Sequence, residues 1–189
     1  MKPVDQALLD FIAIFRRLEL PYAVMGGMAV RAYSIPRATW DVDVTIGIER
    51  HDLAKFFAAV EEAGYAVPEA YAGGWVDRVS DMPLVKFRTY FEGGGVDVDV
   101  FLAEVDFQKE LLARRQTVET ELGPISVVSP EDLVLLKLVA ARPRDLIDVA
   151  DLFFMHSGFD EPYMRRWADR LGVRDLLEEK LANPQTERP

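Results

Sequence analysis

Residues 24–44, VMGGMAVRAYSIPRATWDVDV, decide how the rest of the chain is read. A short apolar run enters a glycine pair, an amphipathic segment follows, and an extended segment ends in two alternating aspartates. Side chains along a strand alternate between faces, so Asp41 and Asp43 share one face while Val42 and Val44 take the other. Two carboxylates aimed at one spot repel each other unless a cation lies between them. Hard oxygen ligands of this kind suit Mg²⁺, which keeps some waters and completes its shell from substrate phosphates. Gly26-Gly27 precedes a segment of helical pattern, where missing Cβ atoms let a phosphate approach backbone N–H groups at a helix N-terminus. Thirteen residues separate Gly27 from Asp41, room for about two helical turns and a return. A phosphate cradle then faces a metal clamp.

A second aspartate pair stands further on, in the segment GVDVDVF at 95–101. Asp97 and Asp99 share one strand face, with Val96, Val98 and Val100 on the other. Residues 84–91 alternate as a strand and Gly93-Gly94-Gly95 turns the chain, so 84–102 reads as a β-hairpin. A lone Asp-x-Asp is better read as the wet face of an amphipathic strand, because short motifs recur by chance. Aspartate is a poor strand former, however, and four of them in two strands cost β-propensity. With a glycine pair upstream of them, the metal reading outweighs the solvated one.

This arrangement resembles the nucleotidyltransferase superfamily typified by DNA polymerase beta and kanamycin nucleotidyltransferase. Its signature is a Gly-Gly or Gly-Ser pair, a helix, Asp-x-Asp on a strand, and a third acid on a later strand. The wording GGMAVRAY…PRATWDVDV looks most like the bacterial branch containing the AbiEii-type toxins and their relatives. The resemblance implies an α/β (α+β) fold with a mixed, mainly antiparallel sheet, flanking helices and a helical C-terminal part. It implies an enzyme that moves a nucleoside monophosphate from an NTP to an acceptor hydroxyl, using two Mg²⁺ ions for which Mn²⁺ can substitute. Asp41, Asp43 and Asp99 are then the metal ligands and catalytic acids, with Asp97 as the alternative third carboxylate. Gly26 and Gly27 would meet the phosphates. The acceptor stays open among a tRNA 3′ end, a protein side chain and a small molecule, and an antitoxin partner is one expectation. A non-catalytic nucleotide-binding or antitoxin-like protein on the same scaffold is the alternative.

The segment SPEDLVLLKLVAARPRDLIDVADL, 129–152, carries a second resemblance to the AbiEii-type toxins. They have a lysine in a helix here, followed by a helix reading arginine-aspartate-x-x-aspartate. Lys137 matches the lysine as a catalytic residue, and Arg144, Asp145 and Asp148 match the next helix, with Asp148 on the nucleotide. Lys137 interrupts an apolar face, and burying an ammonium unpaired is expensive. It must reach a phosphate or water, or pair with a carboxylate such as Asp148 and staple two helices. Arg37 and Thr39 precede the aspartates closely enough to meet the nucleotide: Arg37 through its fork, Thr39 by positioning a carboxylate or phosphate. Arg37 equally suits an ion pair with a neighbouring acid.

Helical spacing appears over 4–19, through Val4, Leu8, Phe11, Ile12, Phe15 and Leu18, and over 51–63, through Leu53, Phe56, Phe57 and Val60. Residues 28–33 and 105–115 read as shorter helices, with Arg31 solvated. Residues 22–25, 37–48 and 65–67 read as strands, 70–82 shows no clear pattern, a loop over the site being one option, and 117–128 reads as a second hairpin about Gly123-Pro124. Ser129-Pro130-Glu131-Asp132 is a helix start, with a serine cap, proline in the first turn and acids behind it. Further helices follow to 142, then over 143–155, 162–170 and 173–182, with a frayed tail after 183. Residues 1–128 are the core and 129–189 a helical part packed on it. Arg114, Arg115, Arg142, Arg165, Arg166 and Arg170 would suit a nucleic-acid acceptor, although charged helices look the same without one. Trp40, Trp75 and Trp167 are scattered; Trp75, in a glycine-rich segment, suits base stacking less well than core packing or loop anchoring.

Composition bounds the alternatives. At 189 residues and a net charge of −10, the chain does not coat nucleic acid by bulk electrostatics. It has no cysteine, which excludes disulfides and thiolate metal sites. His51 and His156 are too isolated for a histidine zinc site. The start MKPVDQALLD carries an early acid and is not a secretory signal. The apolar run at 133–141 is broken by Lys137 and is too short to span a bilayer. A cytoplasmic protein with no membrane contact is expected.

Overall fold

The computed structural model describes residues 2–92 and 94–183. Its strands are β1 (Tyr22–Met25), β2 (Asp41–Ile46), β3 (Asp77–Val79), β4 (Met82–Phe91), β5 (Gly94–Leu102), β6 (Gln116–Thr120) and β7 (Gly123–Val127). They form one sheet in the order β3-β4-β5-β2-β1-β7-β6. The β1–β7 and β2–β5 pairings are parallel and the other four antiparallel, so the sheet is mixed and mainly antiparallel. Around it lie α1 (Pro3–Arg17), α2 (Gly26–Tyr33), α3 (Leu53–Glu62), α4 (Glu69–Ala72), α5 (Asp106–Ala113), α6 (Pro130–Ala140), α7 (Pro143–Met155), α8 (Glu161–Leu171) and α9 (Arg174–Ala182).

The alternation of Asp and Val in β2 and β5 fixes which face is dry. Val42, Val98 and Phe87 are register neighbours and fully or nearly fully buried. They face α1 and α3, where Phe11, Phe56 and Phe57 each stack within 6.3 Å of Phe87. Each such ring removed from water contributes roughly 1.5–3 kcal/mol, so this layer pins the register. A slip of one residue would bury aspartates in its place. The opposite face carries Asp41, Asp43, Asp97 and Asp99, and α2 crosses it from the end of β1. Helices α6 and α7 pack on α2, and Leu133, Leu135 and Val149 join the same core.

Several local expectations change. Helix α2 begins at Gly26, so the glycine pair forms its first turn and no loop precedes it. Strand β2 starts at Asp41 rather than at 37, because residues 37–40 engage α7: Arg37 bonds Asp148, and Arg144 bonds the Ala38 carbonyl. Residues 65–67 contribute one isolated bridge, Ala66 to Arg88. The segment without a clear pattern at 70–82 contains the end of α4 and the whole of β3. Ser80 and Asp81 have φ of 48° and 62°, which suits a two-residue hairpin turn into β4. Arg31 is paired with Asp5 at 2.8 Å instead of standing in solvent. Helix α6 has its expected start, with the Ser129 hydroxyl accepting from the Asp132 amide at 3.2 Å. It ends at Ala140, before left-handed Ala141. The tail after 183, and Gly93 of the turn glycines, lie outside the described residues.

Candidate active site

Parallel pairing sets Asp41 level with Asp97 and Asp43 level with Asp99. Adjacent strands lie about 4.8 Å apart, so four carboxylates form a two-by-two grid on one face. Asp43 is the inner one, beside Met25 of β1. The first turn of α2 descends directly onto it. A Cβ on Gly26 would stand 1.9 Å from Asp43 Oδ2, and one on Gly27 would stand 2.4 Å from Thr39 Oγ1. Gly26 also has φ +61°, a conformation that favours glycine. The glycine pair is therefore what lets the helix end touch the carboxylate strand.

Thr39 Oγ1 donates to Asp41 Oδ1 at 2.7 Å, fixing that carboxylate two residues downstream. Asp43 has its carboxyl pushed up to about 7, first by burial and then by repulsion from Asp41 and Asp99, with Lys137 and Arg142 pulling the other way. Asp99 is raised as well, again chiefly by burial, while Lys86 opposes the shift from 3.4 Å. Asp97 is more than half exposed and lies 3.5 Å from Arg88. Of the two candidates for a third acid, Asp99 shares the level of the inner aspartate.

Lys137 is buried, with Nζ 2.8 Å from both Asp145 and Asp148. Arg37 grips Asp148 through Nε and Nη2 at 2.7 Å each, and Arg142 Nε reaches Asp145 at 2.6 Å. Burial alone would push Asp148 up, but the bonds from Arg37 and Lys137 prevail and hold it below the usual carboxylate range. This chain of three cations and two anions carries one net positive charge. It lies beside the grid: Asp41 and Asp43 both act on the Arg142 guanidinium, which is held charged first by Asp145. Lys137, Arg37 and Asp148 thus meet one another in an ion-pair network at the edge of the carboxylates. Arg114 lies apart, over the ring of Tyr163 at 3.8 Å, and Arg165 and Arg166 pair with glutamates. Trp40 and Trp75 are exposed, whereas Trp167 is buried and donates to Glu110.

Lys86 was not singled out by sequence, although its place opposite Asp99 follows once the hairpin register is set. A concavity of about 680 Å³ lies between α2, residues 36–38 and the β6–β7 turn, lined in part by Met28, Arg31 and Arg37. None of the four aspartates lines it. Asp43 and Asp99 at matching register, with Asp41 on the same face, are a suitable donor set for a divalent cation. Among the described residues, however, no three acidic or histidine side chains are gathered closely enough to enclose one as they stand.

The profile of a family described as nucleotidyltransferase of unknown function (DUF6036) matches residues 2–168. The chain belongs to that family. Two solved structures share its fold. An antigenic nucleotidyltransferase-like protein from Paracoccidioides brasiliensis matches with a TM-score of 0.63 and 17% identity, over 96% of this chain and 89% of that one. The lincosamide antibiotic adenylyltransferase LnuA, lincomycin-bound, matches with a TM-score of 0.53 and 16% identity, over 80% of this chain and 97% of that one. No match is found among curated proteins. In this member of the family, no helix among the described residues is long and apolar enough to cross a membrane.

Proposed function

We propose that this protein transfers a nucleoside monophosphate from an NTP to an acceptor hydroxyl, with divalent cations held by Asp41, Asp43 and Asp99. The observation that carries this reading is Asp43, which lies level with Asp99 and against the glycine turn, its carboxyl displaced to about 7. Buried repulsion of this kind marks a site made for positive charge. Mg²⁺, or Mn²⁺ in its place, would supply charge neutralisation and polarise the α-phosphate, two ions serving the attacking and leaving oxygens.

The chain's own residues take the remaining roles. The uncapped N–H groups at Gly26 and Gly27 receive phosphate oxygens, aided by the positive end of α2. Arg142, mostly exposed beside the grid, faces the triphosphate. Thr39 keeps Asp41 oriented. Asp99 takes the proton of the acceptor hydroxyl as its oxygen bonds to the α-phosphorus. The bond from the α-phosphorus to the bridging oxygen breaks, and pyrophosphate leaves. Lys137 and Asp148, with Arg37, set the floor against which the nucleotide rests. The finer reading is an AbiEii-like cytoplasmic enzyme with a tRNA 3′ end as acceptor and an antitoxin as partner. It rests on the resemblance of residues 24–44 and 129–152; the Lys137–Asp148 ion pair is the helix-stapling alternative and adds nothing to it.

Incubation with each α-labelled NTP, Mg²⁺ and a lysate of RNA and protein tests the reading. Label in tRNA supports the finer statement, while label in protein or a small molecule replaces that acceptor and keeps the chemistry. Asp41→Asn and Asp43→Asn should abolish labelling with the fold intact; unchanged turnover in either removes the assignment. One observation favours a second reading, a non-catalytic nucleotide-binding protein: Asp99 is engaged by Lys86. Calorimetric NTP binding with no label incorporated would support it.

A further inference from the structure

The register across β2, β5 and β4 draws two parallel rows on the aspartate face. The outer row is Asp41, Asp97, Arg88 and the inner row is Asp43, Asp99, Lys86. Each row ends in a cation on β4, but the two ends differ. Arg88 lies 3.5 Å from an exposed Asp97, with its guanidinium 5.7 Å from the Tyr90 ring. Lys86 lies 3.4 Å from Asp99 Oδ2 and has nearly half of its side chain in solvent. Its backbone is anchored independently, because the Lys86 amide donates to the Tyr71 hydroxyl at 3.1 Å, which in turn donates to Asp77 at 2.6 Å. The strand position is fixed and the ammonium moves on a flexible stem.

Asp99 therefore stands between two neighbours, each about one strand spacing of 4.8 Å away. Towards β2 it faces Asp43, and towards β4 it faces Lys86. We infer that Lys86 is a positioning residue that competes with the divalent cation for Asp99. Bound to Lys86, one carboxylate oxygen of Asp99 is engaged on the β4 side; released, it completes the clamp. A half-exposed cross-strand pair contributes only about 0.2–1 kcal/mol, so a doubly charged ion displaces the ammonium into solvent without disturbing the sheet. The same pair is strong enough only to weaken cation binding at Asp99 a few-fold. This inference rests on the proposed cation site.

Mn²⁺ titration of the full chain by calorimetry, without NTP, tests it. Lys86→Met should bind Mn²⁺ about two- to fivefold more tightly than the unaltered protein, the range that such a pair corresponds to. Lys86→Arg should bind as the unaltered protein does, and Arg88→Met should show no gain. Adding Asp99→Asn to Lys86→Met should erase the gain. Circular dichroism spectra and melting curves that match the unaltered protein establish that each variant folds. Equal Mn²⁺ affinity in Lys86→Met, or the same gain in Arg88→Met, overturns the role of Lys86 and leaves the cation site standing. Absence of Mn²⁺ binding in every protein, the unaltered one included, overturns the cation site and this inference with it.

Discussion

Arg37 and Asp148, 111 positions apart in the chain, are joined by two N–H···O contacts of 2.7 Å each. The pair closes the loop before β2 onto α7, and Lys137 shares the same carboxylate from α6. Three elements are thus tied at one buried acid. Removing one member of a buried ion network costs about 3–5 kcal/mol, and here nearer the lower figure, because Lys137 keeps Asp145 at 2.8 Å. Asp148→Ala should accordingly lower the melting temperature by about 10 °C, at roughly 2–4 °C per kcal/mol for a chain of this size. Adding Arg37→Met should recover part of the loss, since one stranded charge is removed with its partner. A melting point within a degree of the unaltered protein in Asp148→Ala would mean the network carries no stability.

Gly26→Ala tests the contact between helix and carboxylate. The added methyl would stand 1.9 Å from Asp43 Oδ2 at a residue with φ +61°. Both the clash and the backbone conformation oppose it, and together they should cost about 1–3 kcal/mol. Transfer should fall much further than folding, because the displaced group is the inner aspartate. Denaturant unfolding and the labelling assay, run on the same preparation, separate the two losses. Full transfer in a well-folded Gly26→Ala would dissociate the glycine turn from the chemistry.

The two aspartate strands were readable because their period is two and their residues are opposite in polarity; Val42, Val98 and Phe87 leave no other register. Ser129 and Pro130 announced α6 in the same direct way. The start of α2 was less legible, since two glycines before a helix look like a loop until Asp43 and Thr39 are seen filling the space their Cβ atoms would take. The segment at 70–82 was opaque for a similar reason. Its hairpin turn uses Ser80 and Asp81 at positive φ, where glycine or asparagine would have signalled it. Lys86 carried no local sign at all. A lysine on an exposed strand position gains meaning only from the residue across the ladder, and that partner is set by the whole hairpin.

Divalent cations should stabilise the protein through the same grid. A ligand that binds the folded state alone adds RT ln(1 + [L]/Kd), about 2.7 kcal/mol at one hundred times Kd. Melting temperature should therefore climb with Mg²⁺ or Mn²⁺ in the unaltered protein and stay flat in Asp43→Asn. A parallel rise in both would place the ions elsewhere on this acidic surface.

The displaced carboxyl of Asp43 gives the sharpest dependence on pH. Its folded value of about 7 exceeds the ordinary 3.8, with burial first and the charges of Asp41 and Asp99 next. A raised acid favours folding while it is protonated, so the contribution is fully present below about pH 3.8 and is lost as pH rises through 7. Each unit corresponds to about 1.4 kcal/mol, which sets a penalty on the order of 4 kcal/mol above neutrality. Asp43→Asn mimics the neutral carboxyl at every pH and escapes it. With chelator present, denaturant unfolding should find the two proteins nearly equal at pH 4. The asparagine variant should gain steadily to pH 8 and level off there. Groups remote from Asp43 are common to both proteins and cancel in the difference. Saturating Mn²⁺ should narrow the gap near pH 8, because a cation relieves the ionised form. A stability difference that stays constant from pH 4 to 8 would mean that Asp43 titrates like an ordinary surface carboxylate.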